Sequence, residues 1–395
     1  MKRKITLLLV LLMVGTLLFG CAATPETQDA APEEAKEVAE EVAEEVVEEK
    51  TLPKIRIGWA PPNITGVFAT ATDFMNKAAD DAAKNGLDVE IIVKAMADET
   101  QIQNQVNNIE NFVQQEVDCI VISPGDTEAV KPAIRMANDA GIPVILVNLL
   151  DKQDDIEVAA YIGFDNVMAG KVSAYSLLDA LGGPGVLGEG EKVAVDADTY
   201  LDLAKWEEIY AGFDYTSITA DIALIEGIAG NFYSNARLEG MHYVLDKCTN
   251  IDIKATLPAD WDRQKGIAAA ENILQSNPKL DAIWAASNEM GMGAAIAAKN
   301  MDRAEGLSII TNDGTPESVE FINRGELVAE TWHGFPEWGW YGTKFAVQLA
   351  FGQEIEQLYD IRPRTEYAGN ADNFYPNTRL EDIDWQGIID AYMAE

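Results

Sequence analysis

Residues 117–148 read VDCIVISPGDTEAVKPAIRMANDAGIPVILVN. Two short runs, 117–123 and 142–148, are almost wholly apolar, and 127–140 between them reads as a helix. Pro124-Gly125 breaks the first run, and Gly141 closes the helix. A strand that is apolar at consecutive rather than alternate positions is covered on both faces. A helix joining two such strands returns the chain to the start of the sheet, so the strands run parallel. This stretch therefore predicts a parallel sheet with helices on both sides.

The pattern continues outward. Upstream, 54–59 (KIRIGW) and 88–93 (DVEIIV) read as strands, and 68–85 as a helix ended by Gly86. Segment 101–115 is a helix with Ile102, Val106, Ile109 and Val113 on one face. The alternation restarts downstream, with strands at 221–226 (DIALIE), 251–257, 280–285 (LDAIWA) and 307–311 (LSIIT). Helices at 234–247, 262–275, 290–299 and 316–324 follow them. Two similar α/β units in one chain predict two lobes with a cleft between them. In open α/β sheets ligands sit outside the carboxyl ends of the strands, so the residues just after each strand are the site candidates.

Those positions are rich in rings and forked polar groups. The first loop carries Thr65 and Phe68, and Asn148 ends the fourth strand. Arg237 lies two turns past the loop after 221–226, and Trp261 stands among Asp260, Asp262 and Arg263. Ser287 follows 280–285, Asp313 follows 307–311, and His333 stands with Trp332, Phe335, Trp338 and Trp340 farther on. Aromatic faces stack on the C–H faces of a polyhydroxylated ligand, and carboxylates, amides and guanidinium satisfy its hydroxyls once water is expelled. Each residue also has a plain structural reading. Asp313 suits a helix cap, Arg237 a surface cation, His333 a satisfied core histidine, and the three tryptophans the core.

The chain has 395 residues, 66 Asp plus Glu against 29 Lys plus Arg, and a formal charge of −37. Such a balance excludes nucleic acid, whose phosphates need a basic face, and an electrostatic grip on anionic lipid. Three Cys and two His exclude a disulfide scaffold and supply no histidine-built metal site. Asp196, Asp198 and Asp202 lack the Gly and closing Glu of a calcium loop and read as a solvated acidic loop. There is no G-x-S-x-G elbow, H-E-x-x-H or Walker loop. Binding rather than catalysis is expected, with no cofactor, no metal and no catalytic residue.

Lys2, Arg3 and Lys4 precede an apolar stretch at 5–19, which reads as a secretory signal, residues 1–20. Leu18-Phe19-Gly20-Cys21 resembles a bacterial lipoprotein box. That resemblance implies cleavage before Cys21 and acyl chains on it, so that the protein meets the membrane through a lipid anchor alone. A plain secretory signal with an incidental cysteine is the alternative. Either way the protein is exported, to the periplasmic or extracytoplasmic face. Segment 21–53 is a Glu-rich spacer without aromatic residues.

From about residue 55 to 345 the chain resembles the type I periplasmic binding proteins, in particular the ribose/galactose-like sugar-binding components of ABC importers. The likeness rests on an ordered series: 118–124 (DCIVISP), 140–144 (AGIPV), 162–166 (IGFDN), the stretch from Gly227 to Arg237, 258–263 (PADWDR) and 312–316 (NDGTP). It implies an α/β fold of two Rossmann-like lobes with parallel sheets joined by a three-strand hinge. The lobes are expected at 54–163 with 334–361 and at 164–333 with 362–395. It implies that Phe68 and Trp261 sandwich a sugar and that Arg237 and Asp313 hold its ring oxygen and hydroxyls. Asn148 stands where an Asp is usual, Leu149 where an Arg is usual, Ser287 where an Asn is usual, His333 where a Gln is usual, and Thr65 where an Asn is common. The implied function is a monomeric receptor that closes on a small sugar and presents it to ABC permease subunits. A sensory ligand-binding protein and a binder of a non-sugar such as a nucleoside are the alternatives. Some forty residues at about 184–220 exceed the family pattern, and they either cover the cleft mouth or widen the second lobe.

Overall fold

Runs of Val, Ile and Ala become the interior strands of two sheets. The computed structural model describes residues 50–96, 101–187 and 193–394. The expected signal, Cys21 and the spacer as far as residue 49 lie outside the described residues. The first unit comprises β1 (Lys54–Ala60), α1 (Gly66–Lys84), β2 (Asp88–Val93), α2 (Ile102–Gln114), β3 (Cys119–Ile122), α3 (Lys131–Asp139), β4 (Val144–Val147) and β5 (Ala160–Gly163). Strands β3, β4 and β5 are buried at every position. Their side chains enter two apolar clusters, one on each face of the sheet. The expected parallel sheet with two covered faces is therefore what forms.

The second unit runs α4 (Asn166–Ala180), α5 (Leu203–Ile209), β6 (Ala220–Glu226), α6 (Phe232–Leu245), β7 (Ile251–Pro258), α7 (Arg263–Ser276), β8 (Ala282–Ala285), α8 (Asn288–Asn300), β9 (Ser308–Asp313), α9 (Pro316–Asn323) and β10 (Ala329–Trp332). The chain then makes α10 (Phe335–Ala350), β11 (Leu358–Asp360), β12 (Arg364–Tyr367) and α11 (Trp385–Ala394). The first sheet has the order β11-β5-β4-β3-β1-β2 and the second β12-β10-β9-β8-β6-β7. Among the described residues, the strands within the two sheets pair in parallel except β10 with β12. In both sheets the chain starts beside an edge strand and then reverses direction across the sheet, so β1/β3 and β6/β8 are the switch points where ligands bind in such folds. The edge strand β7 alternates half-buried and exposed residues, as a strand covered on one face does.

The chain passes between the sheets three times: from β5 into α4, from β10 into α10, and from β11 into β12. The C-terminal tail departs from expectation. The family resemblance puts residues 362–395 as a block in the second lobe, yet of their strands and helices only β12 joins the second sheet. Ile383, Trp385, Ile388 and Ile389 bury with Met75, Ala78 and Phe345 of the first. Trp385 Nε1 donates to Asp81 Oδ2 at 3.0 Å, and the Tyr392 ring stacks on Phe351 at 4.2 Å. The apolar face of α11 completes the surface left by α1 and α10, so burial carries the tail back to the first lobe.

The insertion takes the second of its two expected forms. Trp206 and Tyr210 lie in the core of the second lobe, and Trp206 Nε1 donates to Thr365 Oγ1 at 2.8 Å. Asp202 caps α5 and pairs with Arg362 at 3.2 Å, and Asp198 pairs with Arg379 at 2.8 Å. The insertion thus braces the third crossing, and none of its described residues lines the cleft.

Candidate ligand-binding site between the lobes

A cavity of about 390 Å³ opens where the carboxyl ends of both sheets face each other. The first lobe supplies Thr65 and Phe68 after β1, Pro124 and Gly125 after β3, and Asn148 after β4. The second supplies Tyr233 and Arg237 after β6, Trp261 and Arg263 after β7, Ser287 and Asn288 after β8, and Asp313 at the end of β9. Phe335, just after the second crossing, closes one side.

Arg237 organises the floor. Glycines bring its helix α6 against α4: a Cβ at Gly170 would stand 2.1 Å from Arg237 O, and one at Gly240 2.0 Å from Val167 O. No larger residue permits that approach. It seats Asn166 where its Oδ1 accepts from Arg237 Nε at 3.1 Å and its Nδ2 donates to Asn148 O at 3.3 Å. Arg237 Nη1 donates to Ala286 O at 2.6 Å and lies 3.5 Å from Asp313 Oδ1. Asp313 Oδ2 accepts from Asn288 N at 2.9 Å. Burial pushes the Asp313 carboxyl up to about 6, against the pull of Arg237 and of the Asn288 N–H.

The side chains here are held in costly backbone. Asn148, Asp260, Trp261 and Asp313 have φ of 78°, 48°, 62° and 112°, and they supply four of the seven positive-φ non-glycine residues among those described. Such conformations cost of order 1–3 kcal/mol each and concentrate at ligand sites. The Trp261 ring lies over Gly227, where a Cβ would stand 2.0 Å from Cζ2. Its face also meets the Arg237 guanidinium at 5.3 Å. Two amide oxygens of the wall, Asn148 Oδ1 and Asn288 Oδ1, are buried without a hydrogen-bond partner among the described residues. Buried acceptors of this kind call for a donor, and a hydroxyl in the cavity is one.

The cations of the wall are already matched. Arg237 faces Asp313, Arg263 forms a fork with Glu289 at 2.7 Å and Glu317 at 2.8 Å, and Lys265 pairs with Asp260 at 2.9 Å. The lobes also touch directly. Tyr233 OH donates to Pro124 O at 3.0 Å, and Asn231 Nδ2 donates to Gly125 O at 3.3 Å. The structure is thus closed over the cavity. Tyr233→Phe removes one bond made only on closure, so ligand affinity is expected to fall about fivefold, near 1 kcal/mol. Calorimetric titration should give the same factor for every ligand, whereas a ligand-dependent factor would place the hydroxyl on the ligand instead.

Comparison with known proteins places this geometry. Residues 57–354 match the family model described as a periplasmic binding protein domain. The chain belongs to the periplasmic binding protein family. It is 27% identical over 277 residues to the ribose import binding protein of Bacillus subtilis, covering 70% of this chain and 76% of that protein. It is 28% identical over 280 residues to the D-allose-binding periplasmic protein of Escherichia coli, covering 69% and 78%. Among solved structures, an ABC transporter solute-binding protein from Actinobacillus succinogenes with bound D-allose superposes with a TM-score of 0.66 at 23% identity, covering 81% of this chain and 100% of that one. One from Bacillus halodurans with bound myo-inositol gives 0.64 at 22% identity, covering 81% and 97%. These two likenesses are of fold.

Within this periplasmic binding protein fold, seven of the eight expected site residues line the one cavity: Thr65, Phe68, Asn148, Arg237, Trp261, Ser287 and Asp313. The eighth, His333, does not. It is fully buried behind the wall, its ring stacked on Phe164 at 4.0 Å and its Nδ1 3.1 Å from Asp313 Oδ1. Burial, and then Arg237, hold it well below the usual imidazole range, so it is a neutral backing for Asp313. Ser287 also caps α8 through Met290 N, and Thr65 Oγ1 bonds Asn63 Oδ1 at 3.1 Å. Trp332 and Trp338 are core. Sequence reasoning missed Asn166 and Asn288 as site residues. The signal for Asn288 was its place beside Ser287 at a strand end. Asn166 acts through Arg237, and nothing local announces it.

Proposed function

We propose that the protein captures one uncharged, hydroxyl-rich small molecule, a monosaccharide or a related polyol, between its lobes and delivers it to an ABC permease. The observation that carries this reading is the meeting of Phe68, Trp261, Arg237 and Asp313 in one cavity whose cations are already paired. Rings and hydrogen-bonding forks suit a neutral sugar, and a wall without an unmatched cation disfavours phosphates and acids. The ligands in the relatives' names, ribose and D-allose, are of this chemical class. Closure places Pro124-Gly125 against α6, and ligand contacts made by both lobes shift the population toward that closed form. A permease reads that shape. Export through residues 1–20 and lipidation of Cys21 hold the receptor, as a monomer, on the extracytoplasmic face of a membrane, with 21–53 as its tether.

A thermal-shift screen of pentoses, hexoses, polyols, nucleosides and sugar phosphates tests the reading. At a hundredfold excess over Kd a bound ligand stabilises the folded state by roughly 2.7 kcal/mol. At least one neutral sugar or polyol is expected to raise Tm, and sugar phosphates are not. A response confined to anionic ligands or nucleosides, or none at all, would sink it.

A further inference from the structure

Behind the site lies a second cluster of buried acids that ligand capture leaves unused. Glu330 on β10 and Glu366 on β12 are both fully buried, and the antiparallel register sets them directly opposite each other. Directly opposed residues share a face, so the carboxyls are neighbours. Glu330 is well supplied with donors: its Oε2 accepts from Gly314 N at 3.0 Å, and its Oε1 accepts from Ser318 Oγ. Ser318 in turn completes the capping box of Thr315 at the start of α9. Glu366 has no partner for either oxygen among the described residues.

Two buried carboxylates facing each other, one without a donor, are not tenable as a pair of anions. Arg364 pulls Glu366 toward the ionised form, and burial with the charge of Glu330 outweighs it. Arg364, next to Glu366, directs Nη1 to Tyr200 OH at 2.8 Å and lies 3.5 Å from Glu337. Asp313, Glu337 and the Tyr375 phenol lie on the other sides and add no positive charge. Burial raises both Glu330 and Glu366 above the ordinary carboxyl range, and for Glu366 the charge of Glu330 raises it further.

We propose that Glu330 and Glu366 keep one proton between them, held on Glu366, and that this couple fixes the Asp313–Thr315 corner through the Gly314 N–H. Glu330 is then a positioning residue for the ligand site, because Gly314 follows Asp313 directly. The effect on ligand affinity rests on the sugar-capture reading; the shared proton does not.

The sign follows from linkage. The folded protein keeps a proton that the unfolded chain releases near the ordinary Glu value of about 4.3. Stability therefore falls as pH rises above that value, and levels off once the folded couple itself ionises. Glu366→Gln keeps the shape of the protonated side chain but cannot ionise. In thermal unfolding of the ligand-free protein, its Tm advantage over the parent is expected to widen between about pH 5 and about pH 9. In the parent, the amide resonance of isotope-labelled Gly314 is expected to move above about pH 7, beyond the range in which Asp313 titrates, and to stay still in Glu366→Gln. Affinity for a sugar that binds is expected to decline at alkaline pH in the parent and to hold in the variant. Parallel stability curves overturn the shared proton. A Gly314 amide that does not move in the parent overturns the positioning role, and that measurement stands even if the variant misfolds. If no sugar binds at any pH, the sugar reading falls while the stability and amide measurements still decide the couple.

Discussion

Arg237→Ala is expected to lower ligand affinity by at least tenfold and by as much as a hundredfold. The guanidinium is buried, bonds Asn166 and Ala286, and lines the cavity beside Asp313. Hydrogen bonds from a charged group contribute about 1.5–3 kcal/mol each when buried, which is the size of that loss. The same change leaves Asp313 buried without its cation, and breaking a buried pair costs about 3–5 kcal/mol of stability. Affinity is therefore to be measured by calorimetry at a temperature where circular dichroism shows the variant folded. The companion is the double variant Arg237→Met with Asp313→Asn, which removes both charges and recovers part of the lost stability. It is not expected to recover binding. Unchanged affinity in a folded Arg237→Ala protein would take Arg237 out of the site and the proposed chemistry with it.

Asp313→Asn is expected to cost a similar factor, and it carries a pH signature that Arg237→Ala lacks. Burial places the Asp313 carboxyl at about 6 in the closed structure. Ligand hydroxyls need it as an ionised acceptor, so binding below that value must first release a proton. Affinity of the parent is expected to fall about tenfold per pH unit as pH drops below 6, and to be flat with respect to this group above it. Burial, and then the Arg237 charge, lower His333 well below the usual imidazole range, so Asp313 is the group assigned to this limb. Asp313→Asn should abolish the acid limb. An acid limb that persists in the variant would assign it to another group and remove Asp313 from direct ligand contact.

Most of the fold was legible because consecutive apolar residues admit one arrangement. Runs such as CIVI at 119–122 and VILV at 144–147 have no polar face, so they are interior strands of a two-sided sheet. Other elements were not legible, β5 and α4 among them. β5 (Ala160–Gly163) reads AYIG, with one β-branched residue and no run of Val and Ile, and α4 (Asn166–Ala180) is buried on most of its surface, so it carries no polar stripe. The tail was misread because its apolar residues at 383–389 state only that they bury, not against which lobe. At the site, Phe68, Trp261, Arg237 and Asp313 lie in or soon after strand-end loops, but their roles came from the family resemblance, and Arg237 without it reads as a surface cation. His333 was misplaced because the same position, one residue past a strand, can face the cleft or the core behind it.

The order of apolar runs and helical spacings by itself determined two α/β units and put the ligand groups at strand ends, because burial of apolar surface and strand direction are local consequences of pattern. Which groups converge was decided by tertiary structure alone. The Gly170–Gly240 contact that seats Asn166 on Arg237, the left-handed backbone at Trp261 and Asp313, and the pairing of Glu330 with Glu366 all join residues remote in the chain or depend on backbone that packing alone holds in place. Distance, desolvation and strain exist only once those parts meet, and they are what turn a row of polar residues into a site.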